Sequence, residues 1–318
     1  MHFALPPRKS SNPPPYAVRS SRSPLLQRVK LRNWAVIALG LTSIVLLISK
    51  IFRDGATETI PPGTPPAVVV TTIDPRYPQS YINTVKDNRD DYAARHGYAT
   101  FFPNTTDYDL ADAPESWSKI PAMRHAMTLY PYSTYFFYLT PLALIMNPSF
   151  SLESHIMDQA RLESLMLVDY PVVPPDSVIK TFAGIKGDRI DLVLTQDRDA
   201  LSQGSFIVRR GEWAKYFLDA WFDPLYRSYN FQKAEGHALE HIVQWHGTIL
   251  AKLALVPIRT MNAYFRDPKD PTGNSDYTHK EGDFVVNFTG CDTDESRDCE
   301  KEMAPMIARW RELKDRRG

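Results

Sequence analysis

From Tyr135 to Pro148 the chain reads Tyr-Phe-Phe-Tyr-Leu-Thr-Pro-Leu-Ala-Leu-Ile-Met-Asn-Pro. The first five residues are aromatic or aliphatic and a Thr-Pro pair follows them, which predicts a short strand buried on both faces. Strands of this kind lie inside parallel sheets that helices cover. The tip of the strand, at Thr140 and Leu142, carries no charged side chain. The segment therefore predicts a core strand whose end offers no carboxylate to a ligand.

Strand and helix patterns alternate along the rest of the chain. The predicted strands cover residues 67–73, 98–102, 135–139, 191–195 and 205–208, and the predicted helices cover residues 80–97, 117–129, 211–221 and 235–245. Residues 161–169 fit a helix and a strand equally well. The alternation predicts an α/β domain with a mostly parallel central sheet. Since ligands bind beyond the carboxyl ends of such strands, residues 72–74 and 139–142 are expected to border one crevice.

Length and composition bound the class of the protein. With 318 residues, 43% hydrophobic and 12% aromatic content, the chain can bury one sizeable core. Its formal net charge is zero, so bulk charge implies no nucleic-acid partner. The residues before Trp34 include seven Lys or Arg and no acidic residue. The chain therefore starts with a basic arm, and its acidic excess lies further on.

The first 66 residues fall into three stretches of different composition. Residues 1–33 are basic and rich in Pro and Ser, which predicts a disordered cytoplasmic tail. Residues 34–52 are uncharged up to Lys50, and this run approaches the roughly 17 to 25 residues of a membrane-spanning helix. They predict an uncleaved signal anchor, with a buried core helix as the alternative. Residues 53–66 contain four Pro and predict an extended stem, so residues 67–318 are expected to form a lumenal domain.

Two cysteines and two sequons fit that lumenal placement. Cys291 and Cys299 are close in sequence, and an oxidising compartment favours a disulfide between them. Two thiols without a nearby His pair do not make a zinc site. Asn104 and Asn287 each begin an Asn-x-Thr glycosylation sequon. Because Asn287 follows an apolar run, we expect glycosylation at Asn104 alone.

Several short motifs in the lumenal domain are weak one by one but specific in their order and spacing. They occupy residues 92–98, 116–127, 144–148, 196–197, 204–209, 212–213, 218–221, 238–241, 244–246, 282–286 and 290–291. On these motifs the chain resembles glycosyltransferase family 34, and within it the fungal α-1,6-mannosyltransferase subunits of the mannan polymerase complex. The resemblance implies a GT-A (Rossmann-like) domain and a single-pass type II protein of the Golgi membrane. It also implies GDP-mannose as the nucleotide sugar, a mannan or N-glycan acceptor, and a hetero-complex with other glycosyltransferase subunits.

The resemblance further implies Mn²⁺, but the chain departs from the family at the metal ligands. Where the family has Asp-x-Asp at the strand tip, this chain has Thr140 and Leu142, and a family His corresponds to Asn287. A hydroxyl, a leucine and an amide offer almost no charge to offset the dehydration of a hard divalent cation. We therefore expect no metal at these positions and no conventional metal-dependent catalysis by this chain alone.

The same resemblance assigns the other site residues. Asp197 and Gln203 are expected to be catalytic, on the sugar or acceptor side of the site. Retention in this family is ascribed to front-face attack, so no side chain is expected to act as an obligatory nucleophile. The residues expected to contact the nucleotide sugar are Asn88, Arg89, Lys119 and Gly204.

Two alternatives would replace the missing metal ligands. Residues 197–199 form an Asp-x-Asp, although close acidic pairs are common in a chain with 37 acidic residues and the Arg between them suggests a solvated turn. Lys119, Arg124 and Arg209 could instead cover a diphosphate directly. For Arg124 a salt bridge to a neighbouring carboxylate is the simpler expectation. Glu235, at the start of a predicted helix, lies near the position of the family's acceptor-side acid.

Two functions therefore compete at the level of sequence. The first is a hexosyltransferase that moves mannose from GDP-mannose to an α-1,6-mannan acceptor. The second is a noncatalytic structural or acceptor-binding subunit that supports a catalytic partner carrying an intact Asp-x-Asp.

Overall fold

The computed structural model describes residues 33–34, 36–45, 59–229, 231–267, 270 and 275–316. The chain divides into two compact units, residues 1–60 and residues 61–318. In the first unit, the described residues before position 46 are helical. Among the described residues, no helix combines the length and the apolarity that crossing a membrane requires. The predicted tail lies almost wholly outside the described residues, and so do much of the predicted anchor and the first half of the predicted stem.

The strands of the second unit are β1 (Ala67–Val70), β2 (Ala99–Phe101), β3 (Tyr135–Leu139), β4 (Ala143–Ile145), β5 (Leu192–Gln196), β6 (Leu201–Arg209), β7 (Leu253–Val256), β8 (Ala263–Tyr264) and β9 (Val285–Asn287). Six of them form a central sheet in the order β2-β1-β3-β6-β5-β7. Strand β6 pairs antiparallel with both β3 and β5, while the other pairs in this sheet are parallel, so the predicted mostly parallel sheet is confirmed.

Helices lie between these strands much as the sequence predicts. The α-helices of this unit are α1 (Gln79–His96), α2 (Lys119–Leu129), α3 (Gln159–Leu165), α4 (Glu212–Trp221), α5 (Pro224–Ser228), α6 (Glu235–Trp245), α7 (Gly247–Leu250) and α8 (Cys299–Asp315). Helix α1 ends at Gly97, whose φ of 67° is the left-handed conformation that glycine adopts at little cost. The ambiguous residues 161–169 begin as a helix, because the Asp158 side chain caps α3 by accepting a hydrogen bond from the Arg161 backbone.

Both faces of the central sheet are buried, and alternate residues of each strand point to opposite sides. Phe136 and Tyr138 of β3 pack with α2 and α4 in one apolar cluster, whereas Phe137 and Leu139 pack in a second cluster on the other face. This two-sided burial explains why β3 reads as a continuous apolar run instead of an alternating one.

A smaller three-stranded sheet, in the order β4-β9-β8, extends the molecule beyond the tip of β3. Strand β9 pairs antiparallel with β4, and Asn287 lies opposite Ala143. The structure joins Cys291 and Cys299 in a disulfide, which ties the segment after β9 to the start of α8. This sheet therefore brings residue 287 close to residues 140–142, although they are far apart in sequence.

Candidate functional site

A cleft of about 570 Å³ lies at the carboxyl ends of β1 and β3. Because β1 and β3 are adjacent and parallel, the segments that follow them leave the sheet at the same edge. Thr72 and Asp74 line the cleft after β1, and Thr140 and Leu142 line it after β3. The predicted crevice between these segments is thus confirmed.

The three positions that the resemblance matches to metal ligands, Thr140, Leu142 and Asn287, all line this cleft, but their side chains do not fit a metal. Leu142 is buried and packs into an apolar cluster that includes Phe288 and Met303. Asn287 uses its Nδ2 to donate a hydrogen bond to Asn262, 2.7 Å away. Among the described residues, no group of three His, Cys, Asp or Glu side chains is arranged to hold a metal ion. A divalent cation would meet one hydroxyl, one amide and an apolar wall here, so we assign it no role at these positions.

Gly204 lies where these positions converge. Its carbonyl accepts a hydrogen bond from the Thr140 backbone at 2.8 Å. A Cβ placed on Gly204 would lie 2.6 Å from Nδ2 of Asn287 and 3.5 Å from Cγ2 of Thr140. A side chain at position 204 would have to displace the buried amide of Asn287, whereas its contact with Thr140 would be an ordinary van der Waals one.

Asp197 lines the cleft from the turn between β5 and β6. One carboxylate oxygen accepts a hydrogen bond from the Tyr264 hydroxyl at 2.7 Å, and the other accepts from the backbone of residues 199 and 200. Burial, together with the nearby Asp197 carboxylate, raises the pKa of Tyr264 well above its ordinary value. Asp197 is thereby held in one orientation toward the cleft.

The alternative Asp-x-Asp at residues 197–199 is not assembled toward the cleft. Asp197 lines the cleft and Asp199 does not. Arg198 instead forms an ion pair with Asp267 at 3.3 Å and lies over the ring of Tyr277. The predicted turn around Arg198 accounts for this arrangement.

Asn262 does not line the cleft but connects residues that do, and sequence reasoning missed it. It is fully buried, and its Nδ2 donates hydrogen bonds to the hydroxyls of Ser202 (2.6 Å) and Thr195 (3.3 Å). Its Oδ1 accepts the hydrogen bond from Asn287. Neither its spacing nor its neighbours in sequence identify this role, because its partners come from β5, β6 and β9.

Lys119 and Glu235 form a nearly buried ion pair in the cleft, with Nζ and Oε1 2.7 Å apart and side-chain exposures of 12% and 4%. The Ser116 hydroxyl donates to the second carboxylate oxygen of Glu235 at 2.6 Å. Burial lowers the pKa of Lys119, but the Glu235 carboxylate raises it further, so the pKa lies above its ordinary value. Lys119 therefore lies in the cleft, where the Glu235 carboxylate already neutralises its charge, and its contact with a nucleotide sugar stays a prediction.

The backbone around Glu235 explains how this pair is positioned. Lys119 is the first residue of α2 and Glu235 is the first residue of α6. Ala234, immediately before α6, has a φ of 42°, a strained conformation for a residue with a side chain. The indole of Trp221 donates to the Glu235 carbonyl at 2.8 Å. The surrounding packing thus holds Glu235 toward Lys119.

Gln203 lines the cleft from β6. A Cβ on Gly236 would lie 2.5 Å from Nε2 of Gln203, so the glycine at position 236 leaves room for this amide. The Oε1 of Gln203 and the Oδ1 of Asn287 are both buried, and neither finds a hydrogen-bond partner among the described residues. Two acceptor atoms on cleft residues thus remain unsatisfied.

The structure corrects the prediction for Asn88 and Arg89, which do not line the cleft. Both are fully buried on α1, behind the strand tip. Asn88 exchanges two hydrogen bonds with the backbone of Ile145, and Arg89 donates to the Thr140 carbonyl at 2.8 Å. Burial lowers the pKa of Arg89 to about 10. These side chains brace the segment after β3 and cannot reach a nucleotide from this position.

Two further cations considered from sequence also lie away from the cleft. Arg124 forms the expected salt bridge, with Asp219 at 3.2 Å. Arg209 donates to the carbonyls of Gly187 and Asp188. Neither guanidinium lines the cleft, so neither covers a diphosphate bound there.

The two sequons differ in exposure. Asn104 is exposed at the start of a short 3₁₀ helix, and its side chain and that of Asp107 cap that helix. Asn287 is 2% exposed. Of the two sequon asparagines, Asn104 is therefore the one whose side chain is accessible for glycosylation.

Comparisons with known proteins identify the family to which the sequence is related. The profile of the galactosyl transferase GMA12/MNN10 family matches residues 63–299. An uncharacterized alpha-1,2-galactosyltransferase of Schizosaccharomyces pombe is 33% identical over 69% of this chain and 58% of its own length. The probable alpha-1,6-mannosyltransferase MNN10 of Saccharomyces cerevisiae is 33% identical over 68% of this chain and 56% of its own length. The matched part of the chain thus spans little more than half the length of these two relatives.

A solved structure supports the fold. A glycosyltransferase involved in the glycosylation of the major capsid of PBCV-1 aligns over 77% of this chain and all of its own, with a TM-score of 0.50 and 11% identity. This likeness concerns the fold alone, which is mixed α/β with a central sheet, as in GT-A-like domains. With a profile match that covers most of its length, the chain belongs to the galactosyl transferase GMA12/MNN10 family, glycosyltransferase family 34.

Proposed function

We propose that this chain takes part in α-1,6-mannosyl transfer in the Golgi, as a subunit of a complex with other glycosyltransferases. The complex uses GDP-mannose as donor and a mannan or N-glycan as acceptor. Support comes from family membership and from relatives named as probable alpha-1,6-mannosyltransferases. The predicted signal anchor agrees with a type II membrane protein whose larger domain is lumenal.

The observation that carries the proposal is a preserved cleft with altered metal positions. The cleft lies at the strand ends where such sheets bind ligands, and Lys119, Asp197 and Gln203 line it. At the three metal positions the side chains are neutral, and one of them belongs to an apolar cluster. Transfer within this cleft therefore proceeds without a divalent cation at residues 140, 142 and 287.

The chain's own side chains can contribute in two ways. The Asp197 carboxylate, oriented by Tyr264, accepts hydrogen bonds from sugar hydroxyls, and Gln203 lines the same cleft. Because the Lys119 ammonium is paired with Glu235, it offsets the charge of a leaving diphosphate less than an unpaired ammonium would.

A second candidate is a noncatalytic subunit that binds the acceptor glycan for a catalytic partner. The observation that favours it is the charge of the cleft, whose lining has five carboxylates against two cations. Such a lining suits an uncharged sugar better than a diphosphate. In this case the chain contributes acceptor binding, and the partner contributes the metal.

The test is a transfer assay with the purified full-length chain, GDP-mannose and α-1,6-mannobiose, with Mn²⁺ or with EDTA. UDP-galactose serves as a second donor, because some relatives are named alpha-1,2-galactosyltransferases. Product formed equally with Mn²⁺ and EDTA supports transfer by this chain. Product formed only with an added family member that has Asp-x-Asp supports the acceptor-binding subunit. Turnover by this chain that depends on Mn²⁺ contradicts both, and transfer of galactose alone contradicts the mannosyl assignment.

A further inference from the structure

We infer that Glu235 sets the ligand selectivity of the cleft, so that the cleft of this chain binds an uncharged oligosaccharide in preference to a nucleoside diphosphate. The inference rests on the proposed function for the identity of the sugar, but its charge argument stands on the residues of the cleft.

The cations of the cleft are already neutralised. Among the described residues that line it, the basic side chains are Arg76 and Lys119. Arg76 donates to Asp74 at 2.7 Å and to Glu115 at 2.5 Å, and it is largely exposed to solvent. Lys119 is nearly buried and paired with Glu235. Because it is the less exposed of the two, Lys119 would interact more strongly with a bound phosphate than Arg76 would. Glu235 competes with such a phosphate for the Lys119 ammonium.

Glu235 is a strong competitor because both of its oxygens are bonded. One accepts from Lys119 and the other from Ser116, at 2.7 and 2.6 Å. A charged hydrogen bond in a nearly buried site is stronger than one in water. A diphosphate that displaced Glu235 would leave a second anion close beside its own charges. The ion pair therefore weakens the binding of a diphosphate and does not weaken the binding of a neutral ligand.

Other groups on the cleft favour a ligand that donates hydrogen bonds. The carboxylates of Asp74, Asp197 and Asp292 are acceptors when ionised. Sugar hydroxyls can donate to these carboxylates, whereas ionised phosphate oxygens only accept. Charge and hydrogen-bond capacity thus select the same class of ligand.

The experiment measures binding by calorimetry with the full-length chain in EDTA, in a detergent without a sugar headgroup. The probes are α-1,6-mannotriose and GDP. We expect the unmodified chain to bind mannotriose at least about tenfold more tightly than GDP. Glu235→Gln keeps the shape of the side chain and removes its charge, and it should tighten GDP binding by about tenfold while changing mannotriose binding less than about threefold.

Glu240→Gln is the matched control. Glu240 lies on the same helix and is buried, but it accepts from the Leu201 backbone and does not line the cleft. This variant should leave the affinity for GDP unchanged. The double variant Glu235→Gln with Lys119→Met should lose the gain in GDP binding, because the released ammonium is absent. If Glu235→Gln fails to fold, Ser116→Ala provides a smaller shift in the same direction.

Three results would overturn the inference. They are tighter binding of GDP than of mannotriose by the unmodified chain, no binding of either probe, and equal gains for the variants of residues 235 and 240. Maltotriose separates this inference from the proposed function. Equal binding of maltotriose and mannotriose contradicts the mannan acceptor, whereas the preference for a neutral sugar is decided by the affinity of the trisaccharides relative to that of GDP.

Discussion

Two groups of side chains line the same cleft, and one contains an ion pair whereas the other contains no charged side chain. The charged group, Ser116, Lys119 and Glu235, keeps full charges in a nearly buried place and pairs them. The neutral group, Thr140, Leu142 and Asn287, has no charge. Its members contact their neighbours through a hydrogen bond between side-chain amides and through apolar packing. The difference teaches that one cleft can be lined both by paired charges and by neutral side chains that pack with the residues behind them.

The largest expected effect tests whether the neutral group has become part of the core. Leu142→Asp should lower the free energy of unfolding by about 3 kcal/mol, because it places a carboxylate in the apolar cluster of Phe288 and Met303. Urea denaturation of the full-length chain measures this. Thr140→Asp is the control, and it should cost less than about 1 kcal/mol because residue 140 is partly exposed. Equal stability of the Leu142 variant and the unmodified chain would show that the cluster does not depend on this leucine.

A middle-sized effect tests the close packing within the neutral group. Gly204→Ala should destabilise the fold by about 2 kcal/mol, because the added Cβ lies 2.6 Å from the Asn287 amide. Combining it with Asn287→Ala should recover part of the loss, and a double-mutant cycle by urea denaturation measures the coupling. Gly211→Ala is the control, since its Cβ would meet none of the described residues within 4 Å. Strict additivity of the two changes would contradict direct contact between residues 204 and 287.

The smallest effect tests the charged group through pH. The pKa of Lys119 is raised in the fold by Glu235, despite the opposing effect of burial. Its pairing therefore stabilises the fold below the unfolded pKa of about 10.4 and is lost as the pH rises through the higher folded value. The stability difference between the unmodified chain and Lys119→Met should shrink above about pH 10.4, as measured by urea denaturation from pH 8 to 11.5. A difference that stays constant over this range would contradict the charged pair.

Local patterns predicted the central elements closely. The predicted strand at residues 135–139 and the predicted helix at 235–245 match β3 and α6 residue for residue. These elements are long apolar or periodic runs with clear ends, which local propensity specifies. Strand β6 extends from Leu201 to Arg209, beyond the predicted 205–208, because its pairing with β5 includes Leu201 and Ser202. Its antiparallel direction also depends on that long-range pairing.

The site was only partly predictable for the same reason. The sequence indicated that Lys119 and Asp197 belong to one site, and both line the cleft. It also suggested Asn88 and Arg89, but those residues face inward because α1 packs its polar positions against the segment after β3. A helical pattern that mixes polar and apolar residues on one face does not reveal which polar side chains are buried.

The sequence by itself determined the α/β class, the buried strand that ends at Thr140, and the absence of charged ligands at residues 140, 142 and 287. These properties depend on residue type and on local periodicity. Only the tertiary structure decided that Glu235 neutralises Lys119 and that Asn262 joins Asn287 to Ser202. Such contacts join residues tens to more than a hundred positions apart, so they follow from the path of the chain and not from any local pattern.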